Sequence, residues 1–295
     1  MMRLTREQIT YAFDKSHPPV ATIDPGTELW FETWDARSGM ITSEAQTYEQ
    51  PHPKGPNPAT GPVCVRGAEP GDALAVAILD IRLDRRGHTG VRPGKGLLPH
   101  LSHRHRVRIL EVAGGMVEFS DRIRFPVRPM VGVIGTAPAG EPVGNIHPGS
   151  HGGNMDHNDV RVGATVQLPV FVPGALLGLG DVHAAMGDGE ITITALEICA
   201  EVRVRVDLIK GAGLRRPRLE FADSWITTGD GATIGDAIRV AADEMATLLM
   251  ERLGLSAEDA YMLLSLRGDM RVGQCAEPSM VAATARVHMP KLSGR

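Results

Sequence analysis

Short apolar runs separated by glycine and proline fill the first two thirds of the chain, the pattern of many brief strands joined by tight turns. Asp24-Pro25-Gly26-Thr27 precedes the alternating Leu29, Phe31 and Thr33, and Glu69-Pro70-Gly71-Asp72 precedes Leu74, Val76 and Ile78, so each Pro-Gly turn is expected to open a strand. Strict alternation from Val202 to Leu208 predicts a strand with one buried and one solvated face. The periodicity changes near the end of the chain. Ile234, Ala237, Ile238, Ala241, Met245, Leu248 and Leu249 recur at spacings of three and four, which predicts an amphipathic helix. Thr233 with Asp236 reads as its start and Gly254 as its stop. Ser256 with Asp259 starts a second helix through Ala260, Leu263 and Leu264, ended by Gly268. Strands first and helices later place the chain in the α+β class, β-rich. The expected layout is a jelly-roll-like β-sandwich over 1–197 followed by a smaller α+β domain over 198–295 with a C-terminal helix hairpin.

Composition narrows the partners. With 31 Lys+Arg against 35 Asp+Glu the net charge is -4, and aromatic residues are only 4%, so the chain lacks the basic and stacking surfaces that bind nucleic acid. The apolar stretches Leu74–Leu79 and Leu168–Leu179 are too short or too interrupted for a membrane span. The opening residues MMRLTREQITYAFDKSH have no apolar core or small-residue cleavage site, so a cytoplasmic location is expected. Cys64, Cys199 and Cys275 are far apart and odd in number, which fits reduced thiols rather than a disulfide framework.

Polar residues and glycine are densest from Asn145 to Glu190. Asp181 and His183 are two apart, so on a strand they project from one face about 7 Å apart. A hairpin turning over Ala184–Gly189 would return the chain as a strand Glu190–Ile193, with Glu190 opposite His183 and Cβ atoms about 5 Å apart. The loop His151-Gly152-Gly153-Asn154-Met155-Asp156 adds an imidazole, an amide and a carboxylate around two glycines. Carboxylates with imidazole suit a divalent cation, and zinc, manganese and calcium are each chemically tolerable. Taken singly these spacings are also what ordinary loops and exposed strands contain.

In order along the chain, DPGTELWFETWDA at 24–36, NPATGPV at 57–63, EPGD at 69–72, HGGNMD at 151–156, GDVHAAMGDGE at 180–190, SWITTG at 224–229 and DAYMLLSLRGDMRVGQ at 259–274 resemble the acetamidase/formamidase family. The resemblance implies a β-sandwich-containing fold, homo-oligomeric assembly, a bound divalent metal with zinc as the first choice, and hydrolysis of short aliphatic amides such as formamide and acetamide by a metal-activated water. Carried over to these positions, it makes Asp156, Asp181 and His183 the metal ligands and Glu190, Asn154, His151 and Glu32 the catalytic group, with Asn57 a further contributor. Glu190 is then ligand or general base, and Asn154 a substrate-orienting donor. Met186 stands where the family usually has glutamine, and His157 where a small residue is expected; both departures bear on substrate range. Two other readings compete: an amidase using Cys275 as nucleophile, and a noncatalytic β-sandwich in which a metal merely orders a loop.

Overall fold

The computed structural model describes residues 1–49, 52–276 and 280–292. The strand-rich α+β class expected from the sequence is what the chain adopts, a large curled sheet followed by a helix pair. The elements that frame the site are β1 (Thr27–Thr33), β2 (Ala59–Val65), β3 (Ala73–Val91), β4 (Met130–Gly135), β5 (Gly152–Asn154), β6 (Thr165–Pro169), β7 (Leu177–His183), β8 (Glu197–Ile209) and β9 (Ser224–Gly231). Helices α1 (Ile234–Leu253) and α2 (Ala257–Arg267) follow, then β10 (Asp269–Val272) and β11 (Ala283–Pro290).

Both Pro-Gly turns open strands as expected, β1 after Gly26 and β3 after Gly71. The alternating run at 202–208 lies within β8, where Val202, Val204 and Val206 are fully buried while Arg205 faces solvent. β8 begins at the residue where the chain was expected to divide. It pairs antiparallel with β1 on one edge and with β3 on the other, so residues 197–209 are built into the sheet of the N-terminal half. Its valines join Leu29, Phe31, Val76, Ile78, Leu168, Leu177 and Leu179 in the main core. Each such fully buried aliphatic side chain contributes about 1.5–3 kcal/mol by leaving water.

β7 is the strand on which the site depends. It runs antiparallel to β4, with His183 opposite Met130 and Gly180 opposite Val133, while its other edge meets β2. At its last residue it pairs with β8, His183 opposite Glu197. The expected return strand Glu190–Ile193 is therefore corrected. Residues 184–196 form an irregular excursion, and the strand facing His183 starts at Glu197 instead. Left-handed backbone at Glu190 (φ 42°) and Ile193 (φ 57°) is incompatible with a strand there. The loop is held from a distant segment, with Gly189 N–H donating to Gly273 O at 2.7 Å and Cys275 N–H donating to Gly189 O at 2.9 Å.

The helix pair packs on β9 and β11, where Ala241, Met245, Leu248 and Leu249 of α1 meet Ala260 and Leu264 of α2 and Val287 and Met289 of β11. Gly229 of β9 allows the contact, since a Cβ there would lie 2.2 Å from Ala237 O. Thr233 caps α1 by accepting the Asp236 N–H at 3.2 Å, Ser256 caps α2 through Asp259 N–H at 3.1 Å, and Gly254 ends α1 in the left-handed region at φ 65°. No helix among the described residues is long and apolar enough to cross a membrane. Replacing Thr233 with Ala removes one exposed cap and should cost about 1 kcal/mol, seen as a melting temperature about 2 °C lower. Thermal unfolding followed by circular dichroism checks it.

Candidate active site

Four segments deliver acidic and imidazole side chains to one buried point. Asp181 and His183 come from β7, Asp156 follows β5, Glu190 sits in the excursion after β7, and Glu197 opens β8. Ligand atoms of Asp156, Asp181 and His183 all lie within 4.8 Å of one another, and so do those of His183, Glu190 and Glu197. His183 Nε2 is 3.6 Å from Asp181 Oδ1 and 3.3 Å from Glu197 Oε2. All five residues are buried, none more than 9% exposed.

The backbone is strained to achieve this. Asn57 (φ 57°), Asp156 (φ 47°), Asp181 (φ 54°) and Glu190 (φ 42°) all adopt left-handed conformations without being glycine. Such conformations cost about 1–3 kcal/mol each and persist only where surrounding contacts impose them. Those contacts are specific. Gly132 O of β4 accepts the N–H groups of Met155 and Asp156 at 3.1 and 3.2 Å, and a Cβ on Gly132 would stand 2.5 Å from Asp156 Oδ1 and 2.8 Å from Asp181 O. Gln274 Nε2 donates to Asn154 O at 2.7 Å, and Thr284 Oγ1 to Met155 O at 2.7 Å. Behind the cluster, the fully buried Arg286 donates to Asp159 Oδ2 at 2.5 Å, to Val272 O at 2.6 Å and to both oxygens of Asp188. It thereby ties together the segments carrying Asp156, Glu190 and Gln274.

A cavity of about 240 Å³ opens onto the cluster and is lined by Asn57, Asn154, Asp156, Asp181, Glu190 and Glu197. Asn57 Nδ2 donates to Asp181 Oδ2 at 2.8 Å and to Asn154 Oδ1 at 3.3 Å. Asn145 holds Asn57 in turn, donating to its carbonyl at 2.8 Å. Tyr48, Arg37 and Arg92 form part of the remaining wall.

Burial and mutual repulsion set the charge state of this group. Asp156 is pushed up to about 8, first by burial and then by the charges of Asp181 and Glu197. Asp181 is pushed up to about 6 by burial and Glu197, and Glu190 well above the carboxylate range by burial and Asp156. For His183 burial works against the imidazolium, but Glu197 and Asp181 prevail and raise it; for Glu197 burial is likewise outweighed, by His183, and its pKa is lowered. Burial thus outweighs the attraction of His183 at Asp156 and Glu190 and favours their protonated forms.

Those atoms fit a divalent cation. Asp156 Oδ1, Asp181 Oδ1, His183 Nε2 and Glu197 Oε2 are all buried without a hydrogen-bond partner, and an unpaired buried polar atom costs about 1–3 kcal/mol. A mixed imidazole and carboxylate donor set is what zinc and related ions take.

The structure brings together most, though not all, of the residues singled out in the sequence. Asn57, Asn154, Asp156, Asp181, His183 and Glu190 meet at the cavity or directly beneath it. Glu32 does not: its carboxylate pairs with Arg3 at 3.3 Å, because its neighbours on β1 put it on the outer side of the sheet opposite Glu201. His151 is 3% exposed, packs edge-on against Phe13 at 5.1 Å and lies outside the cavity lining; burial and His147 depress it to about 4. Cys275 is buried beyond the end of β10, and no cysteine or lysine among the described residues lines the cavity. Glu197 was missed in the sequence, although a lone acid inside the apolar run Ala195–Ala200 is a readable signal. Tyr48 and Arg92 left no signal, since only the fold carries them to the cavity.

A family model described as the Acetamidase/Formamidase family matches residues 2–143 and 139–289. The chain is 42% identical to an acetamidase from Bacillus halodurans known from its crystal structure, with a TM-score of 0.94 over 98% of this chain and 97% of that one. A crystal structure of a recombinant predicted acetamidase/formamidase from Thermoanaerobacter tengcongensis is 36% identical, with a TM-score of 0.94 over 98% and 95%. A putative formamidase from Schizosaccharomyces pombe is 27% identical over 260 residues, and the match spans 66% of this chain and 63% of that protein.

Two outcomes follow. Gly132→Ala should displace Asp156 and weaken divalent-cation affinity about 10–100-fold, measured by calorimetric titration of the folded variant. Without a cation, the folded protein binds more protons than the unfolded chain wherever Asp156 and Asp181 remain protonated, so its stability must fall as pH rises from about 4 to about 8. Melting temperatures of metal-stripped protein should therefore decline across that range, and saturating zinc should abolish the decline.

Proposed function

Because the chain belongs to the acetamidase/formamidase family, we propose that it is an amidohydrolase that cleaves short aliphatic amides, such as formamide and acetamide, to ammonia and the carboxylic acid. The observation that carries this reading is the set of unpaired, buried ligand atoms of Asp156, Asp181 and His183 facing a cavity of about 240 Å³. A divalent cation held by those three residues supplies Lewis acidity toward an amide carbonyl and lowers the pKa of water toward neutrality.

The remaining steps belong to the chain's own groups. Asn154 accepts the Asn57 N–H at Oδ1, which leaves its Nδ2 to donate to the substrate carbonyl oxygen and orient it. Glu190 lines the cavity, and burial, with the charge of Asp156, favours the protonated form of its carboxyl. In that form it can give its proton to the leaving nitrogen, which departs as ammonia, and the carboxylate left behind can take up the proton released by the attacking water. Glu197 Oε2 lies 3.3 Å from the same imidazole nitrogen, His183 Nε2, and steadies the ring beside the ligand set.

This reading extends to zinc as the ion, with manganese and calcium as alternatives, to a cytoplasmic location, and to assembly of several copies. The exposed apolar side chains of Tyr261 (73%), Met262 (57%) and Leu266 (78%) on α2 support self-association.

Ammonia release from formamide, acetamide and longer amides tests the proposal. Stripping the metal should abolish turnover and restoring zinc should recover it, whereas Cys275→Ser should retain most activity. Each methylene that the cavity cannot hold should cost about 1–3 kcal/mol in kcat/KM. Undiminished hydrolysis by protein shown by elemental analysis to be metal-free would contradict the mechanism.

A further inference from the structure

Behind one wall of the cavity lies a buried polar chain that the chemistry above does not use. Tyr48, His88 and Asp35 are 8%, 1% and 6% exposed. Tyr48 Oη is 2.9 Å from His88 Nδ1, and His88 Nε2 is 3.6 Å from Asp35 Oδ1. Asp35 is an acceptor on both oxygens. Its Oδ1 takes the N–H groups of Arg37 and Gly39 at 2.8 and 3.0 Å, and its Oδ2 takes the Cys199 thiol at 3.7 Å.

At 3.6 Å the Asp35 carboxylate attracts His88 Nε2 without hydrogen-bonding it, and this bears on the direction of one hydrogen. An ionised Asp35 favours the imidazole tautomer with hydrogen on Nε2, the nitrogen that faces it. With its hydrogen on Nε2 the ring offers a lone pair at Nδ1, and the 2.9 Å contact is then Tyr48 donating its hydroxyl hydrogen to His88. A phenol has one hydrogen to give, and that hydrogen is directed away from the cavity. What Tyr48 retains toward the cavity it shares with Asp181, Glu190 and Glu197 is acceptor capacity alone.

An amide offers its carbonyl as acceptor and its nitrogen as donor, so an acceptor-only group in the wall matches the nitrogen end. We propose that Tyr48 accepts the amide N–H of the substrate, and that His88 and Asp35 are positioning residues holding the Tyr48 hydroxyl in that orientation. The site then prefers amides to the matching esters, which have no N–H to offer. A pocket built to pair a substrate N–H discriminates strongly against analogues that leave its polar group unpaired. The inference rests on the amidohydrolase reading and adds to it the group that recognises nitrogen.

The test compares kcat/KM for formamide and methyl formate in zinc-loaded protein. Native protein inactive on both substrates would refute the amidohydrolase reading itself. Given native activity, Tyr48→Phe should lower formamide kcat/KM about 10–100-fold and methyl formate kcat/KM at least tenfold less, collapsing the amide-to-ester ratio. His88→Leu should lower the same ratio, and His88→Gln, whose side-chain carbonyl can accept from Tyr48, should largely restore it. This pair decides the matter even when Tyr48→Phe does not fold. Equal losses on both substrates, or an unchanged ratio in His88→Leu, would overturn the proposal.

Discussion

Concentrating Asp156, Asp181, Glu190 and Glu197 around His183, out of contact with bulk water, is the constraint on which the rest of this structure depends. One imidazolium cannot neutralise four carboxylates. Proton uptake by Asp156 and Asp181 is the relief available to the protein alone, and a divalent cation is the relief that also satisfies the orphaned ligand atoms. The left-handed backbone at Asn57, Asp156, Asp181 and Glu190 shows how firmly the surrounding fold holds these groups in a costly arrangement. A stable core would not require it. The strain therefore points to ligand binding at this place rather than to packing.

The fold supplies the force that maintains the cluster. β7 is anchored by β4 and β2 along its length, and its final residue is pinned to β8. Arg286 and Gln274, both near the C-terminal end of the sequence, reach back to the segments carrying Asp156 and Glu190. The C-terminal elements are thus part of the site's support even though they contribute none of its acidic groups. Gly132 provides the space into which Asp156 fits, an absence of side chain as necessary as any side chain present.

Much of this was legible in the sequence, and the parts that were not share a physical cause. Alternation located β8, and capping residues located both helices, because those signals act within a few residues. The pair Asp181 and His183 was readable from strand periodicity, and Asp156 and Asn154 from a glycine loop. Glu190 does reach the cavity, though not by the hairpin its sequence suggested. A Gly-Asp-Gly turn signal suggested a tight hairpin, but the loop is held by Gly273 and Cys275, far away in sequence, so its strand never forms. Glu197 took the place expected of Glu190 opposite His183. Glu32 lies away from the cavity, because a motif resemblance does not say which face of β1 a residue occupies. Long-range contacts brought Tyr48 to the cavity, and no local pattern encodes them.

Relief of the crowded charge implies that the cluster takes up a cation in exchange for protons. Isothermal titration of metal-stripped protein with zinc near pH 6, repeated in buffers of different ionisation enthalpy, counts the protons released for each ion bound. Release of about one proton or more, diminishing as pH rises toward about 8, is the predicted result. Tight binding with no proton release near pH 6, or no zinc binding at all, would contradict it.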